Sequence, residues 1–161
     1  MSVKQKITPY LWFNDNAEEA VNFYISIFAD STILNLARYP ESVPGLGGKA
    51  MSITFQLEGQ KFMALNGGPM FQFTEAISLF VDCETQAEVD DLWAKLTADG
   101  GQEQPCAWLK DKFGLSWQIV PRQLGELMGD EDPQKAQRVM QAMLQMKKID
   151  IAALQAAYDG A

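Results

Sequence analysis

Ile7-Thr8-Pro9-Tyr10-Leu11-Trp12-Phe13-Asn14 alternates along its length, ends in a polar corner and leads into a helix-like stretch, Ala17 to Phe28. Glu75-Ala76-Ile77-Ser78-Leu79-Phe80-Val81-Asp82 does the same and leads into Gln86 to Leu96. Laid over each other, Phe13 meets Val81 and Glu19 meets Glu88. Phe23-Tyr24 then meets Leu92-Trp93, with one residue inserted in the second copy. A repeat of this length is the mark of a duplicated supersecondary unit, so it constrains the fold more than any single motif.

Within the first run, Thr8, Tyr10 and Trp12 share one face of a strand, and Pro9, Leu11 and Phe13 share the other. Asn14 or Asn16 suits the N-cap of the helix that follows, with Glu18 and Glu19 favourably placed in its first turn. Ala20, Phe23, Tyr24 and Ile27 form its apolar stripe. Thr32 to Tyr39 reads as a strand and Pro40 to Gly48 as a long loop. Met51 to Leu57 alternates, and Glu58-Gly59 turns the chain into a strand over Lys61 to Leu65, a hairpin signal. Asn66-Gly67-Gly68-Pro69 then breaks the chain. The second half repeats the order: a strand over 76–82, a helix over 86–97 and a Gly100-Gly101 stop. Short strands follow near 103–109 and 115–120, joined by the turn Asp111-Lys112-Phe113-Gly114. After Pro121 the pattern turns helical. Asp132-Pro133 starts one helix with the stripe Ala136, Val139, Met140, Met143 and Leu144, and Asp150 caps another carrying Ile151, Leu154 and Ala157. Four of the eight methionines lie between Met128 and Met146, which reads as a helical appendage packed on the sheet or engaged in subunit contact.

The 161 residues make one domain the default, with a module over about 6–66, a second over about 75–121 and the helical appendage over about 122–161. A net charge of -8 argues against nucleic acid as a partner, since phosphate binding needs a basic face. No apolar run reaches the roughly 20 residues of a membrane span, and the polar start has no signal-peptide centre behind it, so a cytoplasmic protein without a membrane partner is expected. Cys83 and Cys106 lack CxxC or metal-ligand spacing and read as free thiols with a packing role. There is no histidine, which removes Ser/His/Asp and Cys/His nucleophile systems.

Several segments resemble one family. They are Ala17-Glu18-Glu19-Ala20, Phe23-Tyr24, Ala64 to Pro69, Trp108 to Gln118, and the Met146-Lys147-Lys148-Ile149-Asp150 segment. Together they are similar to the PhnB-like proteins of the glyoxalase, bleomycin-resistance and dioxygenase superfamily, which has the vicinal oxygen chelate fold. The resemblance implies an α+β fold of two βαβββ modules whose curved sheets form an open barrel around a pocket, C-terminal helices, and a homodimer. Enzymes of that superfamily hold a divalent metal through His and Glu on the first and last strands of each module. The matching positions here are Thr8, Ala64 or Asn66, Ala76, and Gln118, to within a residue in the first and fourth strands. None is a His or a carboxylate, and neutral oxygen donors hold a transition metal poorly. No metal and no cofactor are therefore expected.

What the resemblance leaves is a small-molecule pocket lined by Thr8, Tyr10, Trp12, Phe62, Asn66, Ser78, Trp108 and Gln118. Its flat aromatic walls suit a planar or apolar ligand, although the same rings would also fill a small barrel. The alternative is an enzyme of the superfamily, a lyase or isomerase, with a nonstandard metal site or a carboxylate base such as Glu41, Glu58 or Glu75. Lys110 suits either an anionic substrate or a solvated hairpin. Asp90-Asp91 with Glu88 points apart on a helix and reads as a solvated face. Similar proteins often carry the label 3-demethylubiquinone-9 3-methyltransferase-like. Methyl transfer from S-adenosylmethionine calls for a strand, a Gly-rich turn and a helix. The turn Pro44-Gly45-Leu46-Gly47-Gly48-Lys49 enters a strand instead, so it reads as a loop over the pocket mouth and does not support the label.

Overall fold

The computed structural model describes residues 4–161, and the chain divides into two compact units, the first ending at Gln72 and the second spanning Phe73–Ala161. In the first unit the order is β1 (Tyr10–Phe13), α1 (Ala17–Ile27), β2 (Thr32–Arg38), β3 (Ala50–Leu57) and β4 (Gln60–Asn66). The strands lie in the order β1-β4-β3-β2, with β1 parallel to β4 and the other pairs antiparallel. In the second unit the order is β5 (Ser78–Cys83), α2 (Gln86–Thr97), β6 (Gln102–Glu103), β7 (Trp108–Lys110) and β8 (Ser116–Pro121). Its sheet runs β5-β8-β7-β6, again with only the first pair parallel. The sequence repeat is thus a repeat of βαβββ topology. Both sheets are open, and the fold is α+β with C-terminal helices, as expected.

In unit one, α1 buries Ala17, Ala20, Val21 and Tyr24 against the face of the sheet that carries Leu11, Phe13, Ile53, Phe55, Phe62 and Ala64. Phe55 and Phe62 are register partners and stack at 5.6 Å. In unit two, α2 buries Val89, Leu92, Trp93 and Leu96 over Leu109, Trp117 and Ile119. Each large apolar side chain so buried contributes about 1.5–3 kcal/mol. Tyr24 and Trp93, matched in the repeat, are both buried.

Local chemistry sets the joints. Glu58 and Gly59 both have positive φ (48° and 75°), as a two-residue type I′ hairpin requires. Gly114 at φ 87° closes the β7–β8 turn. Buried Asp111 anchors that turn, accepting from the Phe113 and Leu115 amides and, at 2.9 Å, from the Trp117 indole. Thr85 caps α2 by accepting from the Glu88 amide, and Glu88 reaches back to the Glu84 amide, a close relative of the capping box.

Five expectations need correction. The first strand is shorter than the alternating run, because Pro9 has no N–H to give; its carbonyl still accepts from the Met63 amide. The second begins at Ser78, and Glu75-Ala76 form a turn before it. The stretch 103–109 is two short strands split around Pro105, where Cys106 and Ala107 take positive φ and bond to the Met146 and Lys147 carbonyls. Within the expected helical appendage, a first helix that the sequence reading did not place, α3 (Arg122–Met128), starts straight from Pro121 without a side-chain cap. It joins α4 (Pro133–Leu144) and α5 (Ile151–Asp159), capped by Asp132 and Asp150 as expected. Leu124, Val139, Ile149 and Leu154 form their core, with Met128, Met143 and Met146 packed against it. Met140 and Leu144 of the expected stripe are exposed instead.

Candidate functional site

Register decides which predicted residues share a surface. In β1 and β4, Tyr10 pairs with Met63 and Trp12 with Leu65, all on the face away from α1. Leu11 and Phe13 pair with Ala64 and Asn66 on the face that α1 covers. Tyr10 and Trp12 therefore belong together as expected, and Phe62 and Asn66 do not join them. Phe62 is a core residue stacked on Phe55. Asn66 is buried and serves a helix: its Oδ1 accepts from the Ala17 amide at 2.8 Å. Asn16, which holds the N-cap position, makes no side-chain cap bond. Thr8 is half-buried and precedes β1. The residues that do accompany Tyr10 and Trp12 are Met63 and Leu65. The alternation of 62, 64 and 66 against 63 and 65 carried that signal, but nothing in the sequence said which set faced the helix.

Trp12 is held from three sides. Its indole N–H donates to the Gly68 carbonyl at 2.9 Å, and Phe71 meets its ring edge-on at 5.0 Å. Gly67 passes directly beneath: a Cβ there would lie 2.3 Å from the indole Cζ2. The Tyr10 hydroxyl reaches the Ser52 hydroxyl at 3.1 Å. The result is a fixed flat aromatic surface with a polar edge.

In unit two, Ser78, Trp108 and Gln118 share the face away from α2. Gln118 pairs with both Trp108 and Phe80, and its amide donates to the Ser78 hydroxyl at 2.9 Å. Phe80, 60% exposed, lies on this face at the position that matches Trp12 in the repeat, a correspondence that the sequence repeat carries but that singles out no role by itself. Lys110 and Ser116 are also on it. Lys110 pairs with Glu75, and the ammonium bonded to this carboxylate holds the Glu75 carboxyl below the ordinary range. Of the other candidate bases, Glu58 sits on the β3–β4 hairpin with Oε1 accepting from the Ala29 amide, and Glu41 is exposed in the loop before β3. Asp90 and Asp91 are exposed on α2 and bridge to Lys148 and Lys95.

The positions that the superfamily uses for metal do not fit one here. Ala64 and Asn66 face the helix, so the open-face residue of β4 is Leu65, the repeat partner of Gln118. Ala76 lies in a turn, and the Gln118 amide is engaged with Ser78. Among the described residues no group of three or more Cys, Asp and Glu comes together to hold a metal ion. An apolar residue and a neutral amide at the matched last-strand positions offer no charge to a divalent cation.

Likeness to known proteins agrees with this architecture. The model of the 3-demethylubiquinone-9 3-methyltransferase family matches residues 5–120. A PhnB protein from Bacillus cereus is 42% identical, with a TM-score of 0.68 over 73% of this chain and 99% of its own. A Pseudomonas aeruginosa protein of 23% identity shares the fold, with a TM-score of 0.62 over 73% of this chain and 98% of its own. So does the fosfomycin resistance protein FosX of Listeria monocytogenes, solved with Mn(II) and sulfate. It is 13% identical, with a TM-score of 0.50 over 72% of this chain and 88% of its own. No curated protein matches the chain. Two βαβββ units of like strand order, the family match over most of the chain and the Bacillus cereus relative lead to one assignment: the chain belongs to the PhnB-like, 3-demethylubiquinone-9 3-methyltransferase family, on the glyoxalase/bleomycin-resistance fold.

Proposed function

We propose that this protein binds a small organic ligand without a catalytic metal and acts as a cytoplasmic homodimer. The observation that carries the reading is the locked Trp12, whose ring is fixed on the open face of its sheet by Gly68 and Phe71 beside Tyr10. An aromatic wall fixed before binding costs little entropy when a flat ligand settles on it. Taken by itself, the second unit's sheet offers Phe80 and Trp108 as a similar aromatic surface, with the Ser78–Gln118 pair as polar groups beside it. The family's name does not extend to the reaction it describes. The glycine turn at 44–49 enters β3 rather than a helix, and neither sheet offers a glycine turn opening a helix for S-adenosylmethionine. No helix among the described residues is long and apolar enough to cross a membrane.

Native mass spectrometry of the freshly purified, untagged protein tests the reading. The expected spectrum is a dimer carrying an organic ligand and no metal. Trp12→Ala should lose that ligand while keeping the far-UV circular dichroism of the parent. A stoichiometric metal, or a ligand retained equally by Trp12→Ala, overturns it.

A further inference from the structure

Across the second sheet one row of side chains is unusually polar. Lys110 of β7 pairs with Ser116 of β8, and Ser116 pairs with Ser78 of β5, so the three lie side by side on the face away from α2. Adjacent strands are about 4.8 Å apart, so an ammonium and two hydroxyls are within reach of one small group. Ser116 is fully buried, and its Oγ has no hydrogen-bond partner. A buried hydroxyl without a partner is costly, and native proteins rarely keep one without a reason. Ser78 accepts from the Gln118 amide and so keeps its own proton to donate. Three donors thus lie in one row, and one of them already has an acceptor from within the chain. The Glu75 carboxylate, from the turn before β5, sits on the Lys110 ammonium and also accepts from the Gln104 amide.

We propose that Lys110, Ser116 and Ser78 form, on the second unit's sheet by itself, a subsite for an anionic group, a carboxylate or a phosphate-type oxyanion, and that Glu75 occupies Lys110 until such an anion displaces it. The inference rests on the ligand-binding reading above and names the ligand's charge. On this proposal Ser116, buried while Glu75 holds Lys110, gains access when that pair parts. Both Glu75 and Lys110 are partly exposed, so that pair is weak enough to exchange for a better-placed anion. No bond is made or broken in the step: one carboxylate leaves the ammonium and another oxyanion takes its place.

The test is two-dimensional NMR of the full ¹⁵N-labelled chain, titrated separately with sodium phosphate and sodium acetate against sodium chloride of equal ionic strength. Saturable shifts are expected at the amides of Ser78, Lys110 and Ser116 and at the Trp108 indole, and the anion that saturates identifies the chemistry. Glu75→Gln should tighten that binding about two- to fivefold, by removing a weak competing ion pair. Lys110→Met should weaken it about tenfold or more. Ser116→Ala should also weaken it without lowering the thermal midpoint; a merely structural hydroxyl would lower the midpoint and leave binding alone. Shifts that track chloride, or affinities indifferent to both Glu75→Gln and Lys110→Met, overturn the proposal. A protein that keeps an organic ligand in native mass spectra yet gives no saturable anion shifts retains its binding function and loses this subsite.

Discussion

Trp12 and Gly67 define one contact in which the size of a single atom decides the outcome. Gly67 does not need a left-handed backbone; it needs to be small, because the Trp12 indole occupies the place of its missing Cβ. Neither partner yields easily, since the Gly67 amide is bonded to the Phe13 carbonyl and the indole to Gly68. Gly67→Ala should therefore cost about 1–3 kcal/mol, the usual range for overpacking a close contact. In a Trp12→Ala background the same substitution should cost well under half as much, because the clash is gone. Urea unfolding of the four proteins of this cycle measures the coupling, and equal costs in both backgrounds would place the strain elsewhere. The sequence presented Asn66-Gly67-Gly68-Pro69 as a chain break. That one of its glycines is a seat for a ring 55 residues earlier was not legible, because the contact joins strands that only tertiary pairing brings together.

At the level of elements, the two helices of the repeat are started in different ways. Thr85 and Glu88 cap α2 from within five residues, which local sequence can reveal. The start of α1 is capped from β4, where Asn66 Oδ1 satisfies the Ala17 amide across the parallel β1–β4 pair. Asn66→Ala removes that acceptor inside the core and should cost about 2 kcal/mol, with amide exchange accelerated first at Ala17. Thr85→Ala should cost about 1 kcal/mol, the ordinary value for a local cap. If Asn16→Ala proves as costly as Asn66→Ala, the long-range cap is not what holds α1. The same lesson explains why Asn66 looked like a wall residue of the pocket. A polar side chain at the end of a strand fits either a ligand or a helix end, and only the register separates them.

For the whole molecule, charge couples stability to pH at both ends of the scale. Arg38 bonded to Glu18, Lys148 bonded to Asp90 and the Tyr158 hydroxyl bonded to Asp130 each hold a carboxyl below its ordinary value. Their contribution is present above the unfolded carboxylate range and is lost as pH falls through the lower folded values, so the urea midpoint should drop from about pH 5 to about pH 3. Arg38→Met should flatten part of that fall. At the other end, burial first and the nearby Glu88 and Asp82 second push the Cys83 thiol up to about 12. The folded state then keeps a proton that the unfolded chain gives up near about pH 8.5, so stability should decline from about pH 9 toward pH 12, and less steeply in Cys83→Ala. Much of this architecture was written in the chain alone. The repeat, the helix stripes, the Glu58-Gly59 hairpin and the Asp132 and Asp150 caps are local patterns, and local sterics and hydrogen bonds are enough to specify them. Strand register and the choice of face were not in those patterns, because a strand reads the same with either side turned inward. Pairing in the fold sent Phe62 and Asn66 to the helix, left Tyr10 and Trp12 on the open face and aligned Lys110, Ser116 and Ser78. Long-range hydrogen bonding and burial, rather than any stretch of sequence, decide which residues share the open face of each sheet.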